Sequence, residues 1–158
     1  MTRVLGIDPG VARTGYGIIE RRSHQLNCVT YGCIETSKGQ PHAVRLAVLY
    51  DAIGRLIVKY HPNIVSVESL FFNKNVRTGI AVGEARGVIL LAAAKASLTL
   101  VELTPPQVKQ ALTGYGRADK RQVQLMVQRV LCLPVLPRPD DAADALALGV
   151  AASSPRLY

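Results

Sequence analysis

Apolar and polar positions along this chain follow two rhythms, one strand-like and one helical. Val4-Leu5-Gly6-Ile7 is a short apolar run that predicts a buried strand over residues 3–8, broken by the turn Asp8-Pro9-Gly10. Residues 15–22 (GYGIIERR) and 26–36 (LNCVTYGCIET) are rich in β-branched and aromatic residues and predict two more strands. The polar connection Arg22-Ser23-His24-Gln25 suggests a hairpin between them, so three antiparallel strands come first. From about Pro41 to Tyr60 the positions Val44, Leu46, Ala47, Leu49, Ile53, Leu56 and Ile57 recur with a helical period, and His61-Pro62 ends it.

A strand over 63–68 then closes on Glu68. A long helix is expected from about Asn75 or Thr78 to Ala96, followed by a short strand over 98–102. Thr104-Pro105-Pro106-Gln107 has the form of a capping box with proline at the first helical position, which starts a short helix to about Leu112. Asp119 with Gln122 starts another, to about Leu131, and Pro134, Pro137 and Pro139 form a stiff connector. The last helix runs from near Asp140 to about Ala152. This order predicts an α/β domain with a mixed sheet flanked by helices, a single domain over residues 1–158, with no disordered linker, repeat or low-complexity stretch.

Composition narrows the class. A chain of 158 residues can bury a good core without disulfides or structural zinc. Its three cysteines, Cys28, Cys33 and Cys132, form no CxxC pair and no zinc pattern, and read as reduced thiols in a cytosolic setting. Cys28 and Cys33 are five apart in an alternating run, so a regular strand would place them on opposite faces. Met1-Thr2-Arg3 leads straight into a strand, which argues against a signal peptide. The longest apolar stretch, 79–96, carries Glu84, Arg86 and Lys95, so no membrane span is expected.

The net charge is +8, and residues 74–129 concentrate it with nine Lys or Arg against three acidic residues. Such a basic middle suits a polyanionic partner. Against it stand four carboxylates at the ends of apolar runs: Asp8, Glu68, and Asp141 with Asp144 in DDAADALAL. Asp8 alone is an ordinary turn start, and Asp140 is accounted for by the electrostatics of a helix N-terminus. Asp141 and Asp144 are three apart and so share a helix face, where both can reach one site. Buried carboxylates are costly unless a cation compensates them, and hard divalent ions do so with oxygen ligands alone. The four together point to a two-metal site for phosphodiester hydrolysis, with 5′-phosphate and 3′-hydroxyl products if the 3′ oxygen leaves.

These residues also carry a resemblance. GIDPG followed by TGYG, VES-LF-F-NKN, GEARGVIL, PPQVKQALTGYGRADKRQVQ and DDAADALAL, in that order, resemble the RuvC-type Holliday junction resolvases along almost the whole chain. The resemblance implies a ribonuclease H-like fold with a five-stranded sheet, a homodimer, and Mg2+ or Mn2+, two per site. It also implies paired symmetric nicking of four-way DNA junctions in recombination and repair, alongside a branch-migration helicase complex. Carried over residue by residue, Asp8, Glu68, Asp141 and Asp144 match the family's acidic positions, and the position of Asp141 varies to histidine. Phe71 matches an aromatic that stacks on a base, with Phe72 adjoining it, and Lys109 and Lys120 match basic residues near the scissile strand. Some members carry a longer C-terminal tail, whose contacts would be absent from a chain ending at Tyr158.

The remaining residues fit around this frame. Phe71 and Phe72 precede the basic Lys74 and Arg77, where an exposed ring would stack on unpaired bases and a buried one would simply pack. Arg117, Lys120 and Arg121 flank the flexible Gly114-Tyr115-Gly116 and suit a DNA-contacting loop. Gly79, Gly83 and Gly87 recur every four residues and give the long helix a smooth stripe, for packing on the sheet or against a two-fold mate. In the second case Gly83→Leu yields monomers. His24, His42 and His61 sit in turns or at helix ends with no ligand spacing, and read as structural or solvated. Two other readings compete: a nucleotide-binding domain of the actin and sugar-kinase type, which needs a much longer chain, and a non-catalytic junction-binding protein, which gains nothing from carboxylates facing phosphate.

Overall fold

In the computed structural model, residues 1–23, 25–69 and 76–153 are described, with the side chains of 76–78 left aside. Phe71, Phe72, Lys74, His24 and the Arg77 side chain therefore lie outside the described residues. The elements in chain order are β1 (Thr2–Asp8), β2 (Arg13–Arg22), β3 (Gln25–Glu35), α1 (His42–Tyr60), β4 (Ile64–Glu68), α2 (Val76–Lys95), β5 (Thr99–Leu103), α3 (Pro105–Thr113), α4 (Lys120–Val130) and α5 (Asp140–Ala152).

The five strands form one mixed sheet in the order β3-β2-β1-β4-β5. β1 pairs antiparallel with β2 and β2 with β3, whereas β1 pairs parallel with β4 and β4 with β5. The hairpin explains the antiparallel half, and the long helical crossovers α1 and α2 require the parallel half. α1 and α2 cover one face over Leu5, Ile7, Val65 and Val67, and α3, α4 and α5 cover the other over Val4, Ile19 and Ile64. The helix starts are as the sequence implies: Thr104 and Asp119 each complete a reciprocal capping box, with Gln107 and Gln122.

Strand alternation aims the site. Even-numbered positions of β1 and β4 face α5: Gly6 lies against Ala145 and Gly149, and the next even position along is Asp8. The register pairs Ile7 with Val67, so Asp8 and Glu68 end adjacent parallel strands on the same face. α5 comes unusually close, since a Cβ on Gly6 would stand 2.1 Å from the Ala145 carbonyl oxygen and one on Gly15 would stand 1.9 Å from that of Asp141. Only glycine permits that approach.

One expectation fails here. Cys28 packs into the α5-side core, and Cys33, paired with Gly15, also faces the start of α5. A bulge opposite Ile18 and Ile19 adds one residue to β3, which reverses the alternation and brings the two cysteines to one face. Both are free thiols, and burial pushes Cys28 up to about 11.

Candidate active site

Asp8 is held at its strand end by the turn that follows. Thr14, almost fully buried, donates its hydroxyl to the Gly10 carbonyl and accepts from the Gly10 N–H at 3.3 Å, which closes the loop between β1 and β2. Across the register, Glu68 closes β4, and Asp144 descends from α5 a full turn inside the helix. These three carboxylates line a single cleft of about 290 Å3 between the strand ends and α3, α4 and α5. Lys109 and Lys120 complete its polar rim, and Pro105, Val108, Val123, Ala147 and Leu148 form an apolar floor.

The electrostatics are those of a charge concentration short of cations. Burial pushes the Asp8 carboxyl from 3.8 up to about 7, and the negative charges of Asp144, Glu68 and Asp141 push the same way, with Lys120 opposing. Burial raises Glu68 as well, and Asp144 adds to it. Asp144 is raised by burial against the pull of its hydrogen bond from Lys120. Lys120, partly buried at a cost to its charge, is still held above the ordinary lysine value by its bonds to Asp144 and Asp140, each at 3.1 Å.

The sequence-derived residues do not all meet in this cleft. Asp141 does not line the cleft; it is 38% exposed, with Arg13 at 3.7 Å, and is near enough for its charge to act on Asp8. Asp140 accepts from Lys120 and from Gln124 at 3.2 Å, and its carboxyl is lowered chiefly by the lysine, as suits a first-turn residue. Arg117 and Arg121 are exposed and do not line the cleft. Gly79 and Gly83 are half-buried on α2, whereas Gly87 is exposed and a Cβ there would meet nothing within 4 Å. His42 bonds Glu84 at 2.6 Å, and His61 caps α1 in the left-handed conformation.

Two arginines escape sequence reasoning. Arg13 pairs with Glu35 at 3.0 Å and reaches toward Asp141. Arg86 donates to the Glu68 carbonyl at 3.2 Å and pairs with Glu102. Each acts through a residue distant in the chain, and only the strand register makes those partners visible.

Among the described residues, no three potential ligands close around one point as the side chains stand. The donor set nevertheless suits a hard divalent cation: three carboxylates on one cleft, two raised by mutual repulsion as well as burial.

The family model described as "Crossover junction endodeoxyribonuclease RuvC" matches residues 4–152. A curated protein of that description from Moorella thermoacetica is 54% identical over 151 residues, covering 96% of this chain and 90% of its own. One from Desulforamulus reducens is 52% identical over 147 residues, covering 93% and 90%. Among solved structures, Thermus thermophilus RuvC in complex with Holliday junction substrate superposes with a TM-score of 0.87 at 31% identity, covering 95% of this chain and 92% of its own.

Proposed function

The chain belongs to the RuvC family of crossover junction endodeoxyribonucleases, and from that premise we propose that it resolves four-way DNA junctions with the acidic cleft as its cutting site. The carrying observation is the convergence of Asp8, Glu68 and Asp144 from β1, β4 and α5 onto one cleft rimmed by Lys109 and Lys120. Family members are metal-dependent nucleases, and Asp8, Glu68 and Asp144, with Asp141 beside them on α5, are the residues that would hold the ions here. We take these as Mg2+ or Mn2+, two per site, because all four donors are hard carboxylates. Bound there, such ions supply the positive charge that activates an attacking water and stabilises the departing 3′ oxygen.

The chain's own residues do the rest. Lys120 offsets the carboxylates until phosphate arrives, and with its side chain 54% exposed it can turn to a non-bridging oxygen of the scissile group. Lys109, which also lines the cleft, fixes the same strand from α3. Arg117 and Arg121, exposed beyond the cleft, suit contacts to phosphates farther along the arm, and the same role is assigned to Lys74 and Arg77, with Phe71 or Phe72 stacking on a base.

Two symmetric cuts call for two sites, and the reading includes a homodimer of this one nuclease domain. α2 supports it: Ile80 and Leu91 are 55% and 54% exposed, and with Gly87 between them they share one outer face, on which Glu84 is the charged residue. Leu91→Glu or Gly87→Leu is expected to give monomers in sedimentation, and a persisting dimer places the contact elsewhere. The resemblance extends the reading to a branch-migration helicase complex in the cytoplasm. No helix among the described residues is long and apolar enough to cross a membrane.

The test is cleavage of a labelled synthetic four-way junction against linear duplex of the same sequence, in Mg2+, Mn2+ or EDTA, with Glu68→Gln alongside. Paired nicks on the junction alone, lost in EDTA and in Glu68→Gln while binding survives, are the expected result. Binding without cutting in either metal refutes the assignment of the cleft.

A further inference from the structure

Arg86 stands on α2, behind the sheet as seen from the acidic cleft, with a side chain only 17% exposed. Its Nε donates to the main-chain carbonyl of Glu68 at 3.2 Å, and its Nη2 donates to the Glu102 carboxylate. The register explains how one guanidinium reaches both. Glu102 pairs with Val67, whose side chain enters the core under α1 and α2, so Glu102 leaves the sheet on that face. Glu68 is one residue on and points its carboxylate the other way, into the cleft. The guanidinium therefore holds the Glu68 peptide from behind while the carboxylate faces forward.

We propose that Arg86 is a positioning residue for the cutting reaction: it clamps the end of β4 to β5 and α2, and so fixes the Glu68 carboxylate relative to Asp8 and Asp144. The inference rests on the cleft being the nuclease site. A plain surface ion pair does not account for the arrangement, because Glu102 is 42% exposed and a pair with so solvated a partner adds little stability. Arginine, in contrast, offers donors in a fixed planar fork, which can engage a carbonyl and a carboxylate together. Reactive groups must be held within roughly 0.5 Å of their working geometry, and Glu68 is the last residue of its strand. The next backbone bond, Ser69 N–H to the Leu103 carbonyl at 2.9 Å, restrains the peptide within the sheet, and Arg86 restrains it from the α2 face.

The experiment compares wild type, Arg86→Ala, Arg86→Lys, Glu102→Gln and Glu68→Gln as full chains. Mn2+ binding is measured by titration calorimetry without DNA, and single-turnover cutting of a four-way junction is followed as Mn2+ is varied. Junction affinity in EDTA and thermal melts accompany both. Loss of a group that orients a ligand typically costs about 10–100-fold in metal affinity or activity. Arg86→Ala is expected to raise both the Mn2+ dissociation constant and the Mn2+ concentration for half-maximal cutting by about tenfold or more, with junction affinity unchanged. Glu102→Gln keeps an acceptor for the fork and stays near wild type, and Arg86→Lys recovers part of the loss.

A merely structural arginine lowers the melting temperature and the fraction of active protein but leaves the Mn2+ dependence where it was. That result overturns the proposal. If Arg86→Ala does not fold, Arg86→Lys carries the comparison: a several-fold weaker Mn2+ response supports the clamp, and an unchanged one overturns it. A wild type that cuts no junction defeats the assigned function, and the DNA-free titration then decides this inference alone. Weaker Mn2+ binding by Arg86→Ala supports the clamp, while equal binding, or none in wild type, overturns it.

Discussion

Replacing Asp8 with asparagine is expected to abolish cutting and at the same time to stabilise the metal-free protein at alkaline pH. Burial, together with Asp144, Glu68 and Asp141, pushes the Asp8 carboxyl from 3.8 up to about 7. Between those values the folded chain holds a proton that the unfolded chain has released, so the free energy of unfolding falls as pH rises. Each pH unit crossed is worth about 1.4 kcal/mol, which bounds the penalty at roughly 4 kcal/mol by pH 8. Asparagine keeps the shape and removes the charge, so the penalty disappears and the carboxylates of Glu68 and Asp144 are relieved as well. A gain of about 2–4 kcal/mol raises the melting temperature of a chain this long by about 4–16 °C. The assay is thermal and urea unfolding of wild type and Asp8→Asn in EDTA at pH 5 and pH 8, all at one protein concentration so that assembly does not shift the midpoints. The variant's advantage should be large at pH 8 and shrink toward pH 5. Added Mg2+ should then stabilise wild type more than the variant. An Asp8→Asn protein no more stable than wild type at pH 8 refutes the electrostatic account of the cleft.

Gly15→Ala forces a Cβ to within 1.9 Å of the Asp141 carbonyl oxygen, so the start of α5 must lift from the sheet with its carboxylates. A loss of about 1–3 kcal/mol in urea unfolding is expected, with cutting reduced at least tenfold and junction affinity retained. Gly54→Ala on α1, where a Cβ meets nothing within 4 Å, is the matched control and should gain up to about 1 kcal/mol. The Ser66 hydroxyl is fully buried and has no hydrogen-bond partner among the described residues. Ser66→Ala should therefore be neutral or more stable by about 1 kcal/mol in the same assay, and a clear loss of stability would point to a partner for that oxygen.

Much of this arrangement is legible along the chain because it depends on local backbone chemistry. The helical recurrence from Val44 to Ile57 reports a face that must be buried whatever covers it, and α1 spans His42–Tyr60 accordingly. The Thr104 and Asp119 boxes lie within four consecutive residues each, so α3 and α4 start where those boxes place them. Cys28 and Cys33 defeat the same reasoning because the bulge is a property of the β2–β3 pair, not of either strand. Arg86 and Arg13 escape it for a related reason. GEARGVIL reads as an apolar helix interrupted by charge, and nothing local says that its arginine meets the end of a strand 18 residues back.

The acidic residues stand out along the chain for the opposite reason: they contradict their surroundings. Asp8 and Glu68 each end a run of β-formers inside the most buried strands of the sheet, and Asp144 sits in a helix that, past Asp140 and Asp141 of its first turn, is otherwise built of Ala, Leu, Gly and Val. Local rules break where function imposes a cost, and the cost here is measurable as raised carboxyls around one cleft. The compensating ammonium comes from α4, a different element, on a long side chain 54% exposed. A cation so mounted can leave Asp144 for an incoming phosphate without disturbing the core, whereas Arg86, only 17% exposed behind the sheet, cannot move without releasing Glu68. The two basic residues thus divide the work by exposure: the more exposed one is free to exchange partners, and the more enclosed one sets geometry.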